Sequence, residues 1–462
     1  MHTDLLIIGA GPAGMAAATE AVKLGLGTVL LDEQRQAGGQ IYRHVEAGGL
    51  FDRSILGAEY YTGEAMVRAL QQSTCLHITE ACVWQITTDG KVFYSRHGEA
   101  SVIQAQHVLI ATGAQERPMP IAGWTLPGVM TAGAAQIMLK NSGLAASEAV
   151  FAGTGPLLYL VVWQYLQAGI KVKALLDTTP RANYYLAMGK WLSACYGVGY
   201  VRKGLALLRG IKSAGVPIIK EISELEVIAG GESGISTVKY VAKGQAGSIG
   251  TQHLFLHQGV VPNINLAMAS GCQHHWHDQQ LCWTPEVDQW GLSTQAHISI
   301  VGDAGGIGGA KASAWQGSMA VQNIACLLGH HTAHVRDQNS RKWRQKWQRE
   351  RAFRPFIDQL YSPAPGFRMP QRDDVLVCRC EEVSLAEIKS AAAQRCLGPN
   401  QLKSFTRAGM GSCQGRQCGL SVSELMANYT DQTMDESGYY RLRAPIKPLT
   451  LGELATLDTR LL

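Results

Sequence analysis

Residues Asp4–Ile8 form a short apolar run leading into Gly9-Ala10-Gly11-Pro12-Ala13-Gly14, and the alanine-rich stretch Met15–Leu24 that follows reads as a helix. No other stretch restricts the fold as tightly. Strand, glycine turn and helix make the first half of a parallel β-α-β unit. Gly9 permits the tight turn, Gly11 lets the backbone approach a pyrophosphate, and Gly14 allows close packing of helix on strand. The helix N-terminus then faces phosphate charge. A second strand, Thr28–Leu31, ends in Asp32, eighteen positions after Gly14, where a carboxylate can accept hydrogen bonds from ribose hydroxyls; Glu33 follows it. A glycine pattern alone arises by chance in a chain with 51 glycines, but strand, helix and acid together make it a dinucleotide cradle. The same unit serves NAD and FAD, so this motif does not choose between them.

Later segments bear on that choice. Gly38-Gly39-Gln40 follows the second strand, Val108–Ile110 leads into Ala111-Thr112-Gly113-Ala114, and Ile298–Val301 leads into Gly302-Asp303. This set resembles the flavoproteins with two dinucleotide-binding domains. The resemblance implies that Gly9, Gly11, Pro12, Ala13, Gly14, Asp32 and Glu33 hold the ADP part of FAD. It also implies that Gly39 and Gln40 lie near the flavin, that Ala111, Thr112 and Gly113 line the same site, and that Asp303 after Gly302 bonds the ribityl chain. Between these segments, Ala149–Ala152 enters Gly153-Thr154-Gly155-Pro156-Leu157-Leu158, and the strand Lys171–Leu176 ends in Asp177. A second β-α-β unit is predicted. Leu158 stands where a small residue lets the helix pack beside a nucleotide, which favours a retained scaffold without nicotinamide nucleotide.

Near the C-terminus, Cys378-Arg379-Cys380 and, after 32 intervening residues, Cys413-Gln414-Gly415-Arg416-Gln417-Cys418 place four thiols in two tight pairs. Four thiolates hold either zinc or an iron–sulfur cluster, so the count leaves the metal open. The single-residue gap at 378–380 and the glycines at 409, 411, 415 and 419 resemble the bacterioferritin-associated-ferredoxin type of [2Fe–2S] domain. The other seven cysteines show no ligand spacing and read as core residues. Cys272-Gln273-His274-His275-Trp276-His277 reads as a surface loop.

The fold class is α/β: two Rossmann-like dinucleotide-binding domains, the FAD domain interrupted by the NAD-type domain, plus a small helical [2Fe–2S] domain. The predicted boundaries are 1–140 and 256–330 for the FAD domain, 141–255 for the NAD-type domain, and 331–372 for a basic helix and linker. The cluster domain is assigned to 373–425 and a tail to 426–462. A net charge of +5 over 462 residues makes no case for nucleic acid, and no apolar run reaches the roughly 20 residues of a membrane span. Without a visible signal peptide, a cytoplasmic location is expected. Ser340–Phe356, with seven basic residues, one acid, and Trp343 and Trp347 four apart, predicts an amphipathic helix that docks on another domain or subunit.

Taken together, Gly9–Gly14, Gly38–Arg43, Leu254–Asn263, Val301–Gly309, the four cysteines and the Pro445–Leu454 tail resemble, over nearly the full length, the α subunits of heteromeric bacterial amino-acid dehydrogenases. These include opine oxidase A subunits, the FAD subunit of hydrogen cyanide synthase, and proline or hydroxyproline dehydrogenase α subunits. The resemblance implies a hetero-oligomer with an FAD-containing β subunit of D-amino-acid-oxidase type, and room for a small additional subunit. The amino acid is then oxidised on the β subunit while this chain relays electrons to an acceptor other than NAD(P). Three rivals stay open: a self-contained NAD(P)H-dependent reductase, a cyanide-forming glycine dehydrogenase subunit, and a non-catalytic iron–sulfur protein.

Overall fold

The computed structural model describes residues 1–47, 52–231 and 234–457; the last five residues of the predicted tail lie outside the described residues. Leu5, Leu6 and Ile7 are all fully buried, the signature of a strand covered on both faces. That strand, His2–Ile8, lies between Thr28–Leu31 and Glu99–Ile110 and runs parallel to both. The sheet continues through Leu76–Ile78 beyond the second strand, and Ile298–Ile300 pairs parallel with Val108–Ile110. The first half of Glu99–Ile110 instead pairs antiparallel with Lys91–Arg96, which pairs with Cys82–Ile86. Leu5 and Ile7 pack in one apolar cluster with Ala17, Ala18, Val321 and Ile324, from the helices Pro12–Lys23 and Ala310–Leu327. Leu6, Ile8, Val29 and Leu31 pack on the opposite face with Val83, Val92 and Leu266.

A second sheet of five parallel strands has the order Ile218–Lys220, Val172–Asp177, Ala149–Thr154, Leu254–Gln258, Val129–Thr131. A three-stranded antiparallel ribbon, Ile222–Ala229 with Ile235–Ala242 and Gln245–Gly250, adjoins it. The chain passes between the two sheets along the antiparallel pair Ala114–Glu116 and Val260–Pro262. The predicted basic helix is longer than its charge pattern: it runs Ala333–Leu360 and is capped by the Thr332 hydroxyl, which accepts from Val335 N. It packs on Ala310–Leu327 and on the short helices Arg181–Met188 and Trp191–Tyr196 of the second unit.

The cysteine-rich region has its own core of Leu385, Ile388, Leu402, Val422, Leu425 and Met426. The helix predicted at Leu385–Ala393 is observed there, with a capping box from Ser384 and Glu387. Two expectations change. His274–His277 is a strand paired with Cys282–Pro285 rather than a loop, because Trp276 and Trp283 bury against each other across the pair. Cys195 is exposed rather than a core residue.

Candidate functional site

A cavity of about 1560 Å³ runs between the two sheets and past their glycine loops. Gly9, Gly11, Pro12, Ala13, Asp32, Glu33, Gly39, Gln40, Ala111, Thr112, Gly113, Gly302 and Asp303 all line it. Gly14 does not, and its geometry explains why: a Cβ there would lie 1.8 Å from the Gly9 carbonyl oxygen, so this glycine serves helix-on-strand contact. Gly9 has φ of +105°, and a Cβ on it would meet the Ala111 carbonyl at 2.5 Å. The glycine turn and the Ala111–Gly113 segment are thus pressed together by backbone, leaving the turn's open side to the cavity.

Asp32 lines the cavity directly after the strand Thr28–Leu31 and also serves the turn. Its Oδ2 accepts from Ala10 N at 2.5 Å and its Oδ1 from Gln34 N at 2.7 Å, so the carboxylate braces the turn. Burial raises its pKa while these two backbone donors pull it down. Glu33, half exposed, pairs with Lys447 of the C-terminal tail instead. Asp303 Oδ1 accepts from Gly308 N at 2.8 Å and Gly309 N at 2.9 Å, which fixes the loop ahead of the helix Ala310–Leu327. Arg43 donates to Gln34 Oε1 at 2.8 Å and to Gln40 Oε1 at 3.2 Å, which makes it a loop brace.

Three buried groups at the cavity wall carried no motif in the sequence. Lys140 Nζ donates to the carbonyls of Gln40 (3.2 Å) and Ile41 (2.9 Å), and burial, then the nearby Arg43, lowers its pKa to about 7. Arg117 donates from Nη2 to the carbonyls of Gln280 and Leu281 at 2.9 and 2.8 Å, and burial brings its pKa down to about 10. His257 Nδ1 lies 2.7 Å from Glu116 Oε1, while Glu116 Oε2 accepts from Gly133 N at 2.9 Å. The only available signal for Lys140 was a lysine directly after the stretch Gly133–Leu139, which is apolar apart from Gln136.

At the second glycine loop the acidic residue is already engaged. Asp177, buried, accepts from the Tyr159 hydroxyl at 3.0 Å and from Thr179 N at 2.9 Å. Tyr159 follows the fully buried Leu158, and the Thr154 and Thr179 hydroxyls share a 2.6 Å hydrogen bond beside them.

The four cysteines predicted to form one ligand set are found as two contacting pairs, Cys378 with Cys418 and Cys380 with Cys413. Among the described residues no group of three or more His, Cys, Asp or Glu side chains forms a metal-holding set. Cys378 is lowered to about 6 by its bond from Cys418, and Cys418 is raised by the same contact. The donor set nevertheless suits a metal–thiolate group. Backbone hydrogen bonds from Gly409, Glu381 and Cys380 lower the Cys378 pKa, and those from Gln417 and Gly415 act the same way on Cys413. A Cβ at Gly411 would lie 2.3 Å from Cys380 Cβ, so glycine is required for the loop to close on that thiol.

The fold and cavity define the class: an oxidoreductase with the mixed α/β, Rossmann-like fold of FAD-dependent enzymes. A family described as pyridine nucleotide-disulphide oxidoreductase matches residues 3–156, and the sarcosine oxidase A3 domain matches 373–457. The opine oxidase A subunit of Rhizobium meliloti is 39% identical over 463 residues, covering 98% of this chain and 87% of its own. The chain belongs to the family of opine oxidase A subunits. Hydrogen cyanide synthase subunit HcnB of Pseudomonas protegens is 27% identical, with 99% of this chain and 98% of its own covered. The crystal structure of L-proline dehydrogenase from P. horikoshii shares the fold with a TM-score of 0.72 at 19% identity, over 98% of this chain and 79% of that one.

Proposed function

We propose that this chain is the electron-transferring subunit of a heteromeric amino-acid dehydrogenase of the opine, proline or hydroxyproline type. FAD would lie in the cavity and a [2Fe–2S] cluster on Cys378, Cys380, Cys413 and Cys418. When bound, FAD supplies two-electron and the cluster one-electron chemistry. The observation that carries the reading is convergence: one cavity collects the Gly9–Ala13 turn, Gly39–Gln40, Ala111–Gly113 and Gly302–Asp303, which lie far apart in sequence. In this reading the Gly9–Ala13 turn, with the N-terminus of its helix, takes the pyrophosphate, and Asp32 at the cavity wall takes the ribose hydroxyls on the acceptor sites that Ala10 N and Gln34 N leave free. Lys140 holds the Gln40–Ile41 backbone against the flavin edge.

The amino acid is oxidised elsewhere, on an FAD-containing β subunit of D-amino-acid-oxidase type. Arg43, the one arginine of the segments Gly38–Arg43 and Val301–Gly309, is held by Gln34 and Gln40 and so serves its loop rather than a substrate carboxylate. A nicotinamide nucleotide at the second loop is disfavoured, because Tyr159 occupies the carboxylate that would take its ribose. A cyanide-forming glycine enzyme has the weaker support of the 27% relative. The test is reconstitution: purified alone, the chain should not reduce a dye with any opine or proline-like amine, and co-purified with its β subunit it should. Turnover by the chain alone would overturn the proposal.

A further inference from the structure

The short helices between the strands Val172–Asp177 and Ile218–Lys220 have an unusual surface. Tyr185, Leu186, Met188, Trp191, Leu192 and Tyr196 are 56 to 63% exposed, although they fall within a stretch of a dozen residues. Isolated exposed apolar side chains are ordinary, but this many in succession mark a contact surface. Only one stripe of the first helix faces inward, at Asn183 and Ala187, and the helix Trp191–Tyr196 buries no residue at all. The folding of this chain does not account for the rest.

The charge around this surface selects its occupant. Between Asp177 and Glu221 there is no acidic residue, while Arg181, Lys190, Arg202, Lys203, Arg209, Lys212 and Lys220 supply seven cations, of which Lys203 is paired with Glu59. The helix Ala333–Leu360, which packs directly on these two short helices, adds Arg341, Lys342, Lys346 and Arg349. Trp, Tyr, Met and Arg suit protein interfaces and lipid headgroups alike, but protein–protein interfaces are depleted in lysine, so Lys190, Lys212, Lys220, Lys342 and Lys346 favour the boundary between water and lipid headgroups. Among the described residues no helix is long and apolar enough to cross a bilayer, so contact would be from one side.

We infer that the helices Arg181–Met188 and Trp191–Tyr196, with the start of Val198–Ser213, dock on an anionic lipid bilayer. The aromatic and aliphatic side chains enter the headgroup layer and the flanking arginines and lysines meet lipid phosphates. Tyr184, Tyr200 and Leu205 of the same segment also line the central cavity, so docking sets that cavity beside the lipid.

The full chain, carrying its cofactors, should co-sediment with phosphatidylcholine vesicles containing roughly one-third phosphatidylglycerol, and bind pure phosphatidylcholine at least about tenfold more weakly. Trp191→Glu combined with Leu192→Glu alters only exposed positions. It should weaken vesicle binding by about tenfold or more while flavin content and melting temperature hold. Equal binding to both vesicles, no binding, or binding unaffected by the double variant would overturn the inference. So would a complex with the β subunit that ignores vesicles while residues 181–200 become protected from hydrogen exchange, since the surface would then be a subunit interface.

Discussion

Gly11 and Gly14 sit three residues apart in one turn, yet the structure gives an added methyl group at each a different fate. At Gly14 the methyl carbon would stand 1.8 Å from the Gly9 carbonyl oxygen and 3.0 Å from its carbon, both backbone atoms that cannot swing aside. Favourable carbon contacts begin near about 3.5 Å, so the helix start must shift by roughly 1.5 Å. Overpacking of this kind costs about 1–3 kcal/mol where side chains can yield, and backbone on the other side puts Gly14→Ala at the top of that range or above. For a unit of this size that is a fall in Tm of several degrees, at about 2–4 °C per kcal/mol. At Gly11 the nearest atom to an added Cβ is Gly39 Cα at 3.9 Å, and φ of −75° with ψ of −175° suits any residue. Gly11→Ala should therefore melt like the wild type in its flavin-free form. Its methyl group would occupy the cavity wall where the pyrophosphate must touch backbone, and FAD affinity should fall at least about tenfold, or ~1.4 kcal/mol. Flavin-to-protein absorbance ratios after dialysis, with melting curves of the apoproteins, separate the two variants. Gly11→Ala with wild-type FAD affinity would refute the phosphate-cradle reasoning.

Lys140 titrates near 7 when folded and near ~10.4 when unfolded, so between these values the unfolded state binds more protons and stability rises with pH, by about 1.4 kcal/mol per unit. Lys140→Met should remove that slope in urea titrations run from about pH 7.5 to 10, and an unchanged slope would place the depressed lysine elsewhere. NADH added to the pure protein should leave the visible flavin absorbance band in place; bleaching would mean that Tyr159 does not close the second loop to nucleotide. Cys413→Ser should eliminate iron, acid-labile sulfide and the paramagnetic signal of the reduced protein while flavin stays bound. Zinc without iron or sulfide in the wild type would contradict the cluster assignment.

Where the sequence was legible, local chemistry and tertiary structure agree. The strand, glycine turn and helix at the N-terminus and the helix Leu385–Ala393 follow from glycine placement and apolar runs, while the convergence of Gly39, Ala111–Gly113 and Asp303 on one cavity is what the flavoprotein resemblance implies. What escaped was set by partners distant in sequence. That Asp32 also braces Ala10 and Gln34 depends on how the turn folds over it. Lys140 becomes a buried amine with partners only because a loop a hundred residues earlier offers it carbonyls. Tyr159 closes on Asp177 across a helix-to-strand contact that glycine spacing does not encode. The His274–His277 hairpin was hidden by a histidine-rich composition that suits loops, and tryptophan packing across the strands outweighed it.

The central claim, that this chain relays electrons and leaves substrate oxidation to a β subunit, is tested most directly by anaerobic mixing with an opine or proline-like amine while the flavin band is followed. The isolated chain should stay oxidised, and the complex with its β subunit should bleach within the time of one turnover. Rapid bleaching of the isolated chain by the amine, with the oxidised imino product recovered in equal amount, would contradict the account.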